Sequence, residues 1–65
     1  MGKVYPRERD RNAMLLRSLD DLSLSKPLPP ELKVRMFSWA VAGFWARDHV
    51  VNKFVLTAKG REAAR

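Results

Sequence analysis

Few side chains in this sequence could carry out a reaction: one histidine, seven Asp and Glu, and no cysteine. His49 follows Asp48, and serines occur elsewhere, so the residue types of a Ser-His-Asp arrangement are present. Their context is not: there is no nucleophile-elbow motif and no second histidine. Asp20 and Asp21 are neighbours, which on a helix point about 100° apart and do not share a site. They read as solvated surface. The three glycines are scattered and build no phosphate-cradling loop. A single imidazole without thiolates leaves zinc short of ligands. The expectation is a protein that is not an enzyme and needs no cofactor or metal.

Charge points elsewhere. Thirteen Lys and Arg stand against seven acidic residues, a formal +6 with a sequence pI near 10.6. A domain this basic suits an acidic partner, most often nucleic acid. With 65 residues, one domain is expected. A chain of this size buries only about 60% of the surface its unfolded form exposes. Disulfides and metals are not available to help, which leaves oligomerisation or a partner surface. The start, MGKVYPRERDR, is basic but is followed by no apolar signal region. The longest apolar stretch is about fifteen residues, short of the ~20 that span a bilayer. No membrane role and a cytoplasmic location are therefore expected.

The elements that must position these charges can be read in order. Residues 1–8 form a basic N-terminal arm, expected to be flexible. Arg9 to Leu22 is amphipathic, with Leu15, Leu19 and Leu22 at i, i+4, i+7, Leu16 beside them and Asp10 as N-cap. SLSKPLPP, from Ser23 to Pro30, breaks the helix, because prolines cannot continue one. Pro30 suits the first turn of a second helix and Glu31 its dipole. Gly43 is a natural left-handed stop for that helix.

The second helix, with the residues just past it, is apolar nearly all round. At 100° per residue, Lys33, Val34, Ala40, Val41 and Phe44 cluster with Phe37. Leu32, Met36, Trp39 and Gly43 fall on the other side, and Glu31, Arg35, Ser38 and Ala42 form a polar wedge. Such a helix is normally buried on more than one side. Strands follow at 44–48 and 54–57, with Asn52 the best turn residue between them. Thr57 caps a last helix from Ala58 to Arg65, which Gly60 weakens and Ala63 or Ala64 anchors.

AGFWARD at Ala42–Asp48 and FVLTAKGREAA at Phe54–Ala64 together resemble the back half of a bacterial winged helix-turn-helix domain. The resemblance covers about a third of the chain. It implies that the second helix occupies the recognition-helix position, that the hairpin is the wing and that the final helix packs beneath. The expected fold is mainly α with a small β-hairpin, an abbreviated winged-helix-like single domain over residues 9–65. The proline-rich segment replaces the usual middle helix.

The resemblance implies a small DNA-binding protein, such as a phage or bacterial transcriptional regulator, with duplex DNA as partner. Lys33 and Arg35 on the helix, and Arg47 and Lys53 on the hairpin, are the candidate nucleic-acid contacts. The alternative is a protein-interaction module that uses Leu32, Met36 and Trp39 to bind itself or another protein.

Overall fold

A computed structural model describes residues 7–65. The chain runs α1 (Glu8–Leu19), α2 (Pro30–Ala42), β1 (Trp45–Asp48), β2 (Lys53–Leu56) and α3 (Ala58–Ala63). It is mainly helical with one antiparallel hairpin, in the register Trp45↔Leu56 to Asp48↔Lys53. Most of the expected arm, residues 1–6, lies outside the described residues. Its last residue, Glu8, begins α1.

Helix α1 starts earlier and stops sooner than its leucine spacing predicts. The cap position is Arg7, with no side-chain cap bond, so Asp10 lies inside the first turn. There it and Glu8 complement the positive end of the helix dipole. The chain leaves the helix at Asp20 and takes a left-handed conformation at Asp21. Leu22, Ser23 and Leu24 then run extended along the free edge of β2. The Asp21 and Leu24 amides donate to the Phe54 and Asn52 carbonyls at 2.8 and 3.0 Å, and the Phe54 amide donates to the Leu22 carbonyl at 2.8 Å. Leu22 therefore packs against the core from an extended segment instead of a helix.

Both acidic residues at this corner have structural work. Asp20 Oδ1 accepts the Leu56 amide at 3.1 Å, and Asp21 pairs with Lys53 Nζ at 2.9 Å. Both are exposed, as the sequence reading has them, and in addition each holds a partner. Their partners lie more than thirty residues away, beyond the reach of local pattern.

Helix α2 has the expected bounds. Pro30 opens it, and Gly43 ends it at φ 77° with its amide on the Ala40 carbonyl. Of its two apolar sides, the one bearing Leu32 and Trp39 is buried, at 2% and 7% exposure, with Met36 half-buried beside them. These join Leu16, Leu19, Phe54, Leu56 and Ala64 in a single core. Burying a side chain such as Leu32 contributes about 2–3 kcal/mol.

The hairpin turn is held by Asp48 Oδ1, which accepts the Val50 and Val51 amides, with Asn52 at φ 58°. Thr57 Oγ1 caps α3 by accepting the Gly60 amide at 3.0 Å, and Ala64, just beyond α3, is buried in the core.

Gly60 has a role that helix propensity alone does not suggest. A Cβ on it would lie 1.9 Å from the Phe44 carbonyl oxygen. That carbonyl is itself fixed by the Thr57 amide at 3.0 Å. Propensity favours alanine over glycine in a helix by about 1 kcal/mol. The collision with backbone must outweigh that gain, so Gly60→Ala is expected to destabilise by about 1–3 kcal/mol or more. Urea denaturation measures it, and a neutral or stabilised variant would show that α3 does not press against Phe44.

Candidate nucleic-acid interface

The charged groups sort into those held by other residues and those left facing solvent. Arg35 is the clearest of the first kind. Its Nε donates to Asn12 Oδ1 and an Nη to the Glu31 carbonyl, each at 2.7 Å, and its side chain is only 20% exposed. Glu8 stands 3.8 Å away. Arg11 reaches across from α1 to Glu31. Arg17 donates to the Ala64 carbonyl at 2.5 Å, tying α1 to the chain end. These arginines fasten helices together.

Lys26, Lys33 and Arg47 make no ion pair with any described residue. They converge on one open cleft. Its floor is Leu24, Leu28 and Phe54, and its rim carries Lys26, Lys33, Arg47, His49 and Asn52 around about 550 Å³. An adjoining hollow of about 470 Å³ shares Lys33 and Arg47 and extends along α2 past Met36, Phe37, Ala40 and Trp45. None of the acidic residues lines either one. Each cation comes from a different element: the proline-rich loop, the first turn of α2 and strand β1.

Strand β1 is braced where it meets the helix. The Trp45 indole N–H donates to the Met36 carbonyl at 3.1 Å. Its ring meets Phe54 edge-on, centroids 5.5 Å apart, and the Arg47 guanidinium lies 5.0 Å over its centroid. A cation over an indole face is attracted by about 0.5–1 kcal/mol at exposed sites. Arg47 is thereby held at the cleft without its charge being neutralised. His49 is exposed on the same rim, while the neighbouring Asp48 carboxylate is taken up by turn amides.

Of the four cations that the sequence singles out, the cleft gathers Lys33 and Arg47. Arg35 is corrected to a clamp between α1 and α2, because its guanidinium is satisfied by Asn12 and Glu31. Lys53 is half-buried, pairs with Asp21 and does not line the cleft. Lys26 was missed because it sits in a segment that reads as a connector. The signal was its position before Pro27, in a loop too short and stiff to stray from the hairpin.

The apolar trio needs a similar correction. Leu32 and Trp39 are core residues that offer no surface to a partner, while Met36 is half-buried against them and reaches the adjoining hollow. The outward face of α2 belongs to Val34, Phe37 and Val41, which are 77%, 81% and 75% exposed.

No helix among the described residues is long and apolar enough to cross a membrane. Comparison with known protein families, curated proteins and solved structures finds no match. Arg35 is expected to matter for stability more than for binding. Arg35→Ala removes charge-assisted hydrogen bonds and should cost about 1–2 kcal/mol in chemical denaturation. A stable variant with lost ligand binding would return Arg35 to the interface.

Proposed function

We propose that this chain is a small DNA-binding protein built as an abbreviated winged helix, consistent with a phage or bacterial transcriptional regulator. One observation carries the reading: Lys26, Lys33 and Arg47 line a single cleft, which no acidic residue lines. The element order supports it. α1, an extended segment on β2, a second long helix, a hairpin and a short closing helix follow one another in the order expected of that fold, with the loop at 25–29 in place of its middle helix.

The outward face of α2 governs the kind of contact. It presents Val34, Phe37, Ala40 and Val41, with Lys33 as its one hydrogen-bond donor. Reading base edges in a major groove wants Arg, Lys, Asn or Gln in number. Affinity is therefore expected from phosphates, contacted by the cleft cations, with weak dependence on sequence.

Such binding is salt-dependent through counterion release. Three phosphate contacts correspond to a slope of roughly −3 in log K against log salt. Fluorescence anisotropy with a mixed-sequence duplex measures this. Lys33→Ala and Arg47→Ala should each weaken binding and flatten the slope by about one unit. Arg61→Ala, outside the cleft, should do much less. Absence of binding at low salt would sink the proposal, as would equal losses at all three positions.

A further inference from the structure

We infer that the hollow beside the cleft takes the bases of unpaired nucleotides, so that this chain favours nucleic acid with a single-stranded segment over blunt duplex. The inference rests on the nucleic-acid reading above and names the form of nucleic acid that the site accepts.

The cleft and the hollow are joined but differ in chemistry. They share Leu28, Phe54 and the two cations Lys33 and Arg47. On one side of those cations the cleft continues to Lys26, His49 and Asn52, all polar. On the other side the hollow continues to Met36, Phe37, Ala40 and Trp45. The Trp45 indole N–H is already given to the Met36 carbonyl. Lys33 and Arg47 are therefore the free side-chain donors of the hollow. At about 470 Å³ it falls within the range of roughly 300–1,000 Å³ typical of small-ligand sites.

Charge selects the kind of occupant. Lys33 and Arg47 make no ion pair with any described residue, and no described acidic residue lines the hollow. A neutral apolar partner would bury both charges unpaired, which is costly. The occupant must bring anions to these two cations and an apolar body to the lining beyond them. A nucleotide strand does both, with phosphates along one side and flat base faces along the other.

Pairing decides between duplex and single strand. In a duplex the base faces are stacked on one another, and the outer surface is phosphate and sugar. Its phosphates can reach Lys33 and Arg47, but nothing apolar then meets Met36, Phe37 and Ala40. An unpaired base brings free faces. Phe37 is the platform for one: it lines the hollow yet is 81% exposed, so its ring is open to a base. The Trp45 ring is less available, because Arg47 lies 5.0 Å over its centroid and Phe54 meets it edge-on. Stacking on an aromatic ring beside a cationic track holds single strands with little sequence preference, since every base has such a face.

Fluorescence anisotropy with three probes at one salt concentration tests this. They are a blunt duplex, the same duplex with an oligothymidine tail, and the same duplex with an equally long tail of abasic sites. The abasic tail keeps the phosphates and removes the bases. The thymidine tail should bind more tightly than the abasic one by roughly five- to 150-fold, the range of a single base–aromatic stack. The salt slopes of the two tailed probes should be equal, because stacking releases no counterions. Phe37→Ala and Phe37→Leu should both erase the difference, and Phe37→Trp should keep it, since leucine retains apolar bulk but offers no ring. Val41→Ala, exposed on α2 but lining neither the cleft nor the hollow, should leave it unchanged. Far-UV circular dichroism should be unaltered in all four variants, whose positions are exposed.

Equal affinity for the two tails would overturn the inference and leave the phosphate-binding reading standing. A thymidine advantage that survives Phe37→Ala would overturn it as well, because the bases would then lie elsewhere. If none of the three probes binds at low salt, the nucleic-acid reading itself fails and takes the inference with it.

Discussion

Strand β2 is only four residues long, yet its backbone is bonded along both edges. β1 takes one edge. Asp21, Leu22 and Leu24 take the other, and the Asp20 carboxylate extends that edge to the Leu56 amide. A two-stranded hairpin alone is marginal in water. The third segment and the helices behind it make this one durable. With β2 so held, Phe54 and Leu56 point into the core, α1 is drawn to the strand edge, and the proline-rich loop must pass over the hairpin face. The cleft lies between that loop and α2 because β2 holds both ends of the arrangement together.

The same constraint decides which side of α2 turns inward. By composition its two apolar sides compete, and the helix sequence alone does not choose. The choice comes from groups at the edges of the winning side. Arg35 reaches Asn12 of α1 with its Nε, and the Met36 carbonyl receives the Trp45 indole. Turning the helix to bury Phe37 would break both. These part-buried hydrogen bonds thus add to the burial of Leu32 and Trp39 in holding the rotation.

What could be read from the sequence is what local chemistry determines. Pro30 and Gly43 bound α2, Thr57 caps α3, and the hairpin sits within a residue of its expected place. The extended run from Leu22 to Leu24 could not be read this way. Leu15, Leu19 and Leu22 keep helical spacing, and only β2, far along the chain, offers the alternative. The interface divides in the same manner. Lys33 and Arg47 have acidic neighbours in sequence, Glu31 and Asp48, and only the fold shows these turned to Arg11 and to the turn amides. Arg35 and Lys53 looked identical to those two cations, and only the approach of Asn12 and Asp21 from distant parts of the chain shows their different employment.

The pairing of Ser23 with Lys53 also bears on how the chain folds. The hairpin closes between strands joined by a short turn, and α2 is contiguous with it, so these can form together early. Joining Ser23 to the edge of β2 instead closes a loop of about thirty residues, and that entropy is lost before its contacts repay it. Three prolines within that loop stiffen it in the unfolded chain and reduce the loss. The outer strand is accordingly expected to join late in folding. Hydrogen exchange at the Leu24 amide would then report a partial opening that releases the loop carrying Lys26 while α2 stays closed. The rim that carries Lys26 is in this way tied to the core through Leu24 and Leu28 at the margin of the cluster, whereas Lys33 and Arg47 ride on α2 and β1.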